Sequence, residues 1–234
     1  MKRLNFPLFR LTLCFLVPTV GSYLQAESIL STNFSGRTIS GTTASDITWM
    51  TNGLEDPGSM TAINEGSGSI SGLFTTPDAA GVFAVSKNIE TVGPWSTEIS
   101  LTLTVDQLIL DSLELGINNF NNSGERQDGV TRQSEWTASV TGSSSGLIDS
   151  QSAITSFFEF GPDYITIEFS SGLVLTDAET YTLNISVQDT GSALGNNVGI
   201  TSLNLTAVPE PAHSAIALAM FVGVGAALRR RRNR

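Results

Sequence analysis

The residues of this chain that most readily do chemistry are carboxylates. Of 234 residues, one is histidine, His213, and one is cysteine, Cys14. Neither lies between residues 27 and 207. That region can build no Ser-His-Asp triad, no Cys-His nucleophile and no ordinary zinc site. Glycoside hydrolysis needs only two acids that flank a sugar bond. Glu159 and Glu168, near or on expected strands, are the candidates, while Glu55 and Asp56 fall in a turn. Scattered acids supply such pairs by chance, so surface carboxylates and no catalytic residue are the expectation.

Two other kinds of site are conceivable. The stretch "NNFNNSGERQDG" offers Asn119, Asn121, Asn122, Glu125 and Asp128 as oxygen ligands for calcium. It lacks the D-x-[DN]-x-[DN]-G spacing, so a plain hairpin loop is expected and no metal or cofactor is assigned. Sugar binding would need an exposed aromatic ring. Trp49, Trp95 and Trp136 are available. Trp136 alternates with Ala138 and Val140 and belongs in a core. Trp95 follows Gly-Pro in a turn and is the best exposed candidate. Asn33, Asn121, Asn184 and Asn204 each begin an N-x-S/T triplet, a glycan acceptor pattern.

Charge narrows the partners. Residues 27–207 hold twenty-one acids against Arg37, Lys87, Arg126 and Arg132, a net charge of −17. Such a domain does not bind nucleic acid by neutralising phosphates. The whole-chain value of −10 is diluted by arginines near the two ends.

The elements that would position any site are strands. In "TEISLTLTV", Ile99, Leu101, Leu103 and Val105 share one face, with Thr and Ser opposite. In "YITIEFS", Ile165, Ile167 and Phe169 oppose Tyr164, Thr166 and Glu168. "YTLNISVQD" alternates Tyr181, Leu183, Ile185 and Val187 with polar residues, and "SEWTASV" groups Trp136, Ala138 and Val140. In "VGITSLNLTAV", Val198 and Ile200 run in one phase and Leu203 and Leu205 in the other, which predicts a bulge near Thr201 and Ser202. Weaker strands are expected at "SILSTNFS", "DITWM", "SISGLF", "GVFAVS" and "LDSLELGI". Turn signals such as "EDPGS", "NNSGERQDG" and "TGSSSG" separate these runs. About ten strands of this kind predict an all-β fold, an antiparallel sandwich of two sheets with jelly-roll topology like that of carbohydrate-binding modules. A parallel β-helix is the alternative, but no fixed internal period supports it.

Both ends are of different character. "MKRLNFPLFR", the apolar run "LTLCFLVPTV" and "GSYLQAES" follow the order of a secretory signal peptide over residues 1–26, with cleavage after Ala26. Leu13 stands where a lipoprotein cysteine at Cys14 would want a small residue. Removing the signal removes the only cysteine, so the exported domain, residues 27–207, must be held by its core alone.

The closing segment, residues 208–234, begins Val208, Pro209, Glu210, Pro211. Residues 212–228, "AHSAIALAMFVGVGAAL", carry no formal charge. As a helix at about 1.5 Å per residue they reach roughly 25 Å, and flanking arginines close the gap to a ~30 Å hydrocarbon core. Arg229, Arg230, Arg231 and Arg232 follow and stay on the cytoplasmic side, over a tail of residues 229–234. The prolines keep Val208 and Glu210 extended and separate domain from span. These three parts, in this order, resemble the PEP-CTERM sorting signal of Gram-negative bacteria. The resemblance covers roughly the last ninth of the chain. It implies export, transient anchoring in the inner membrane and recognition by an exosortase, a membrane cysteine protease or transpeptidase. Release to the cell surface or the extracellular polysaccharide matrix would follow. Pro209, Glu210 and Pro211 would be the recognition element, and Arg229 to Arg232 the retention element. A plain C-terminal anchor that is never processed is the other reading. The expected function is thus that of a non-catalytic exported protein. A sugar-binding module with the same sorting signal, or a carboxylate-dependent polysaccharide hydrolase, are the alternatives.

Overall fold

The computed structural model describes residues 25–66, 68–75, 81–86, 93–127, 132–157, 163–190 and 197–208. The signal segment up to residue 24 lies outside them. So do Pro209, Glu210, Pro211, the apolar span, Arg229 to Arg232, Glu159 and Asp128. Ala26 and Val208 lie within.

Among the described residues thirteen strands follow one another: β1 (Glu27–Thr32), β2 (Thr38–Ser40), β3 (Thr43–Ser45), β4 (Met50–Thr51), β5 (Met60–Asn64), β6 (Phe83–Ala84), β7 (Trp95–Leu101), β8 (Gln107–Phe120), β9 (Arg132–Gly142), β10 (Gly146–Phe157), β11 (Asp163–Thr176), β12 (Tyr181–Asp189) and β13 (Asn197–Val208). No helix occurs among the described residues. All pairings are antiparallel. The first sheet runs β11-β8-β13-β1-β4, with β6 extending the β1 side of β13; the second runs β10-β9-β12-β7-β5-β3-β2. The expected all-β, two-sheet antiparallel architecture is what the chain adopts.

The period-two runs explain the packing. Ile99 and Leu101 on β7, Trp136, Ala138 and Val140 on β9, Ile165, Ile167 and Phe169 on β11 and the four apolar residues of β12 all point into one core. Four aromatic rings form its spine. Phe34 meets Phe83 at 6.2 Å, Phe83 meets Trp95 at 6.0 Å, and Trp95 meets Trp136 edge-on at 5.9 Å. Along these strands one face is buried and the other is left to solvent.

The bulge in β13 falls where the phase slip predicts it. Register shifts between Ile200, opposite Ile117, and Ser202, opposite Gly116. Thr201 is the extra residue, and both apolar pairs of β13 reach the core because of it. Val208, expected to open the closing segment, is the last residue of β13 and pairs with Ile109.

Other expectations shift. Val105 is 42% exposed and outside the core. β7 ends at Leu101, and the chain bends after Leu103 pairs with Leu54. "SISGLF" forms only a single bridge, Leu73 to Val85. β2, β3, β5 and β10 were not signalled by alternation. β10 is the edge of the second sheet, with Leu147 and Ile154 exposed. Its inward face, Asp149, Gln151, Ala153 and Thr155, is mostly polar, so it carries no apolar period-two signal.

Candidate functional site

The outward face of the first sheet gathers the polar side chains that its core face excludes. Register places them in rows across the strands. One row holds Tyr164 on β11, Gly116 on β8 and Ser202 on β13. The next holds Thr166, Glu114, Asn204, Ser31 and Met50. A third holds Glu168, Ser112, Thr206 and Ser28. Five strands about 4.8 Å apart make the middle row roughly 19 Å long.

Tyr164 is 62% exposed and reaches across Gly116. A Cβ at Gly116 would come 3.2 Å from Tyr164 Cε1 and 2.8 Å from Thr201 Oγ1, and would collide with Ser202 Oγ. Glycine there lets the ring and the two hydroxyls approach closely, and a side chain would make them shift. The bulge sends both Thr201 and Ser202 outward, so two hydroxyls stand beside the tyrosine ring where a regular strand would present one. From Ser202 a cleft of about 380 Å³ runs past Glu114 and Asn204 to Asn33 and Met50. Asn204 Oδ1 accepts from Ser28 Oγ at 2.7 Å, and Ser112 Oγ lies 2.9 Å from Thr206 Oγ1. The far end of this face is closed by a second apolar cluster, Phe74, Val82, Ala84 and Phe120.

The sequence candidates are distributed differently. Trp95 is 1% exposed, not a surface platform. It begins β7 and shares the phase of Ile99 and Leu101, which carries its indole into the core beside Trp136. Trp49 is buried as well. Trp136, expected in the core, is there, with Nε1 donating to Ser134 Oγ at 2.9 Å. Glu168 lies on the outward face, diagonal to Glu114 in register, while its proposed partner Glu159 lies outside the described residues. Both Glu168 and Glu114 are exposed. Asp56 is engaged locally, its Oδ1 accepting from the Gly58 amide at 2.7 Å.

The oxygen-rich loop closes on itself. Asn121 Oδ1 accepts from the amides of Ser123 and Glu125, both at 2.9 Å, and Asn121 Nδ2 donates to Glu125 Oε2 at 2.7 Å. Asn197 Nδ2 donates to Asn121 O at 3.0 Å and ties the loop to β13. Asn119 points the other way, into the sandwich, and does not join the loop oxygens. No cluster of three or more metal-ligating side chains occurs among the described residues.

Besides Glu179, two acids with perturbed titration escaped the sequence reading. Asp149, 9% exposed, sits at the β9–β10 bulge. It accepts from the Ser170 amide at 2.7 Å, and from Ser170 Oγ, Gln151 Nε2 and the Ser150 amide at 2.9 Å. Burial pushes this carboxyl up, but those donors together outweigh it and hold it below the usual carboxylate range. Asp149 thereby ties β10, the edge of one sheet, to β11, the edge of the other. Asp163 opens β11, and burial raises its pKa; its Oδ2 has no hydrogen-bond partner.

No family model matches this chain, and no curated protein matches it. Among solved structures it has a distant similarity to the enzymatically active domain of tailspike protein 4 of bacteriophage CBA120. Identity is 12% and the TM-score 0.29, over 74% of this chain and 20% of that one. The chain spans about a fifth of the length of that structure.

Proposed function

We propose that this chain is an exported, non-catalytic β-sandwich protein, sorted through its closing segment to the cell surface or extracellular polysaccharide matrix of a Gram-negative bacterium. One observation carries the proposal: Val208, Pro209, Glu210 and Pro211 are followed by an uncharged apolar stretch and then by Arg229 to Arg232. The partner implied is an exosortase, and the inner membrane is the temporary support. β13 runs to Val208, the first residue of this closing segment. The test is the mass of the protein recovered from the outer or secreted fraction of an exosortase-bearing host. A mass that lacks Arg229 to Arg232 is the expected result. A mass that retains them leaves a permanent anchor and defeats the processing step.

A second reading is favoured by a separate observation. Within the two sheets, the orders β1-β13-β8-β11 and β7-β12-β9-β10 support a jelly-roll topology, in which each sheet takes alternate strands of a rolled-up hairpin ladder. With an exposed tyrosine on a polar sheet face, that topology supports a sugar-binding module carried by the same sorting signal. Retention of the full chain on polysaccharide separates this reading from a purely structural matrix protein.

A further inference from the structure

We infer that the outward face of the first sheet binds a neutral polysaccharide chain, with Tyr164 as the stacking ring. Glu114, Asn204 and the paired hydroxyls of Thr201 and Ser202 are its hydrogen-bond partners. The inference rests on the sugar-binding reading above and is independent of how the chain is sorted.

Tyr164 lies outward on the stretch of β11 where Ile165, Ile167 and Phe169 turn inward, so its exposure follows from strand phase and not from a loose loop. The ring lies over a glycine, on the same row as Ser202, and Gly116 is where a side chain would push it away. An exposed, flat, amphipathic ring suits the apolar face of a pyranose. Sugar hydroxyls both donate and accept. The face answers with a carboxylate, an amide and hydroxyls. Because Asn204 Oδ1 is engaged by Ser28, its Nδ2 is the available donor. The cleft of about 380 Å³ leads away from Tyr164 along this row, which suits a linear chain better than a single sugar.

Charge selects against other occupants. The three rows contain Glu114 and Glu168 and no lysine or arginine. The domain carries −17. Uronate-rich or sulfated chains and nucleic acids would be repelled, and so would a second copy of the chain.

The test is calorimetric titration of the full chain in detergent with neutral hexasaccharides of glucose, mannose, galactose and xylose, and with hexagalacturonate as the anionic comparator. At least one neutral hexasaccharide should bind, and hexagalacturonate should bind about tenfold more weakly or not at all. Tyr164→Ala should lower neutral affinity by about tenfold, the scale of one aromatic contact, with its unfolding temperature unchanged because the ring is exposed. Glu114→Gln should lower it less. Binding to no neutral hexasaccharide overturns both the inference and the sugar-binding reading. Neutral binding undiminished in Tyr164→Ala overturns the inference and leaves that reading standing. Preference for hexagalacturonate, or a dimer that Tyr164→Ala dissociates, overturns it in favour of another occupant.

Discussion

At the scale of single residues, two aspartates pull the pH dependence of stability in opposite directions. Asp149 has a folded pKa below its unfolded one, so its contribution is present above the ordinary carboxylate range and is lost as pH falls through the folded value. Asp149→Asn should cost about 2 kcal/mol at pH 7, the scale of hydrogen bonds to a charged acceptor, and progressively less toward pH 3. Asp163 is the reverse case. Its folded pKa is raised, so its stabilising influence exists only at low pH and is lost as pH rises through the folded value. Asp163→Asn should therefore raise the unfolding midpoint at pH 7 and leave it unchanged near pH 3. Urea unfolding of both variants at the two pH values checks the signs. A loss of stability in Asp163→Asn at pH 7 would mean that Oδ2 has a partner.

At the scale of elements, the β13 bulge gives the clearest case. Deleting Thr201 would leave Ile200 opposite Ile117 and Ser202 opposite Gly116, an unbroken ladder with the same residues buried. The fold should survive that deletion and unfold in one cooperative step. Gly116→Val should be strongly destabilising, because its branches would meet Ser202, Thr201 and Tyr164 together. Thermal unfolding followed by circular dichroism distinguishes the two. This bulge was legible in the sequence because two apolar pairs in opposite phases cannot both face one core without an extra residue. The outward placement of Tyr164, Thr166 and Glu168 was legible for a similar reason. The Gly-Pro before Trp95 signals a turn and an exposed ring, but the phase it shares with Ile99 and Leu101 carries it inward. β10 and the short strands β2 and β3 left no such trace, since their partners and not their own composition hold them in place. The rows of the outward face depend on register between strands far apart in the chain, which no local pattern encodes.

At the scale of the whole molecule, charge and core oppose each other. A domain of net charge −17 with no cysteine is held by its sandwich core against its own repulsion. Raising sodium chloride from 10 to 500 mM shortens the Debye length from about 30 Å to below about 8 Å, and should raise the unfolding temperature. Reductant should leave it unchanged. A midpoint that falls with salt would indicate that attractive pairs outweigh the repulsion.

β13 also has a mechanical meaning. It lies inside the first sheet between β8 and β1, and leaves it at Val208. Hydrogen bonds in an antiparallel ladder stand perpendicular to the strands. A pull applied at Val208 therefore runs along β13 and across those bonds, so the ladders to β8 and β1 carry the load together instead of parting one bond at a time. If the chain is held through its closing segment and a polymer is gripped on the outward face, the strand that is pulled and the strand that presents Thr201, Ser202 and Asn204 are the same strand. Tension would then pass from tether to ligand through one continuous backbone, without crossing the hydrophobic core.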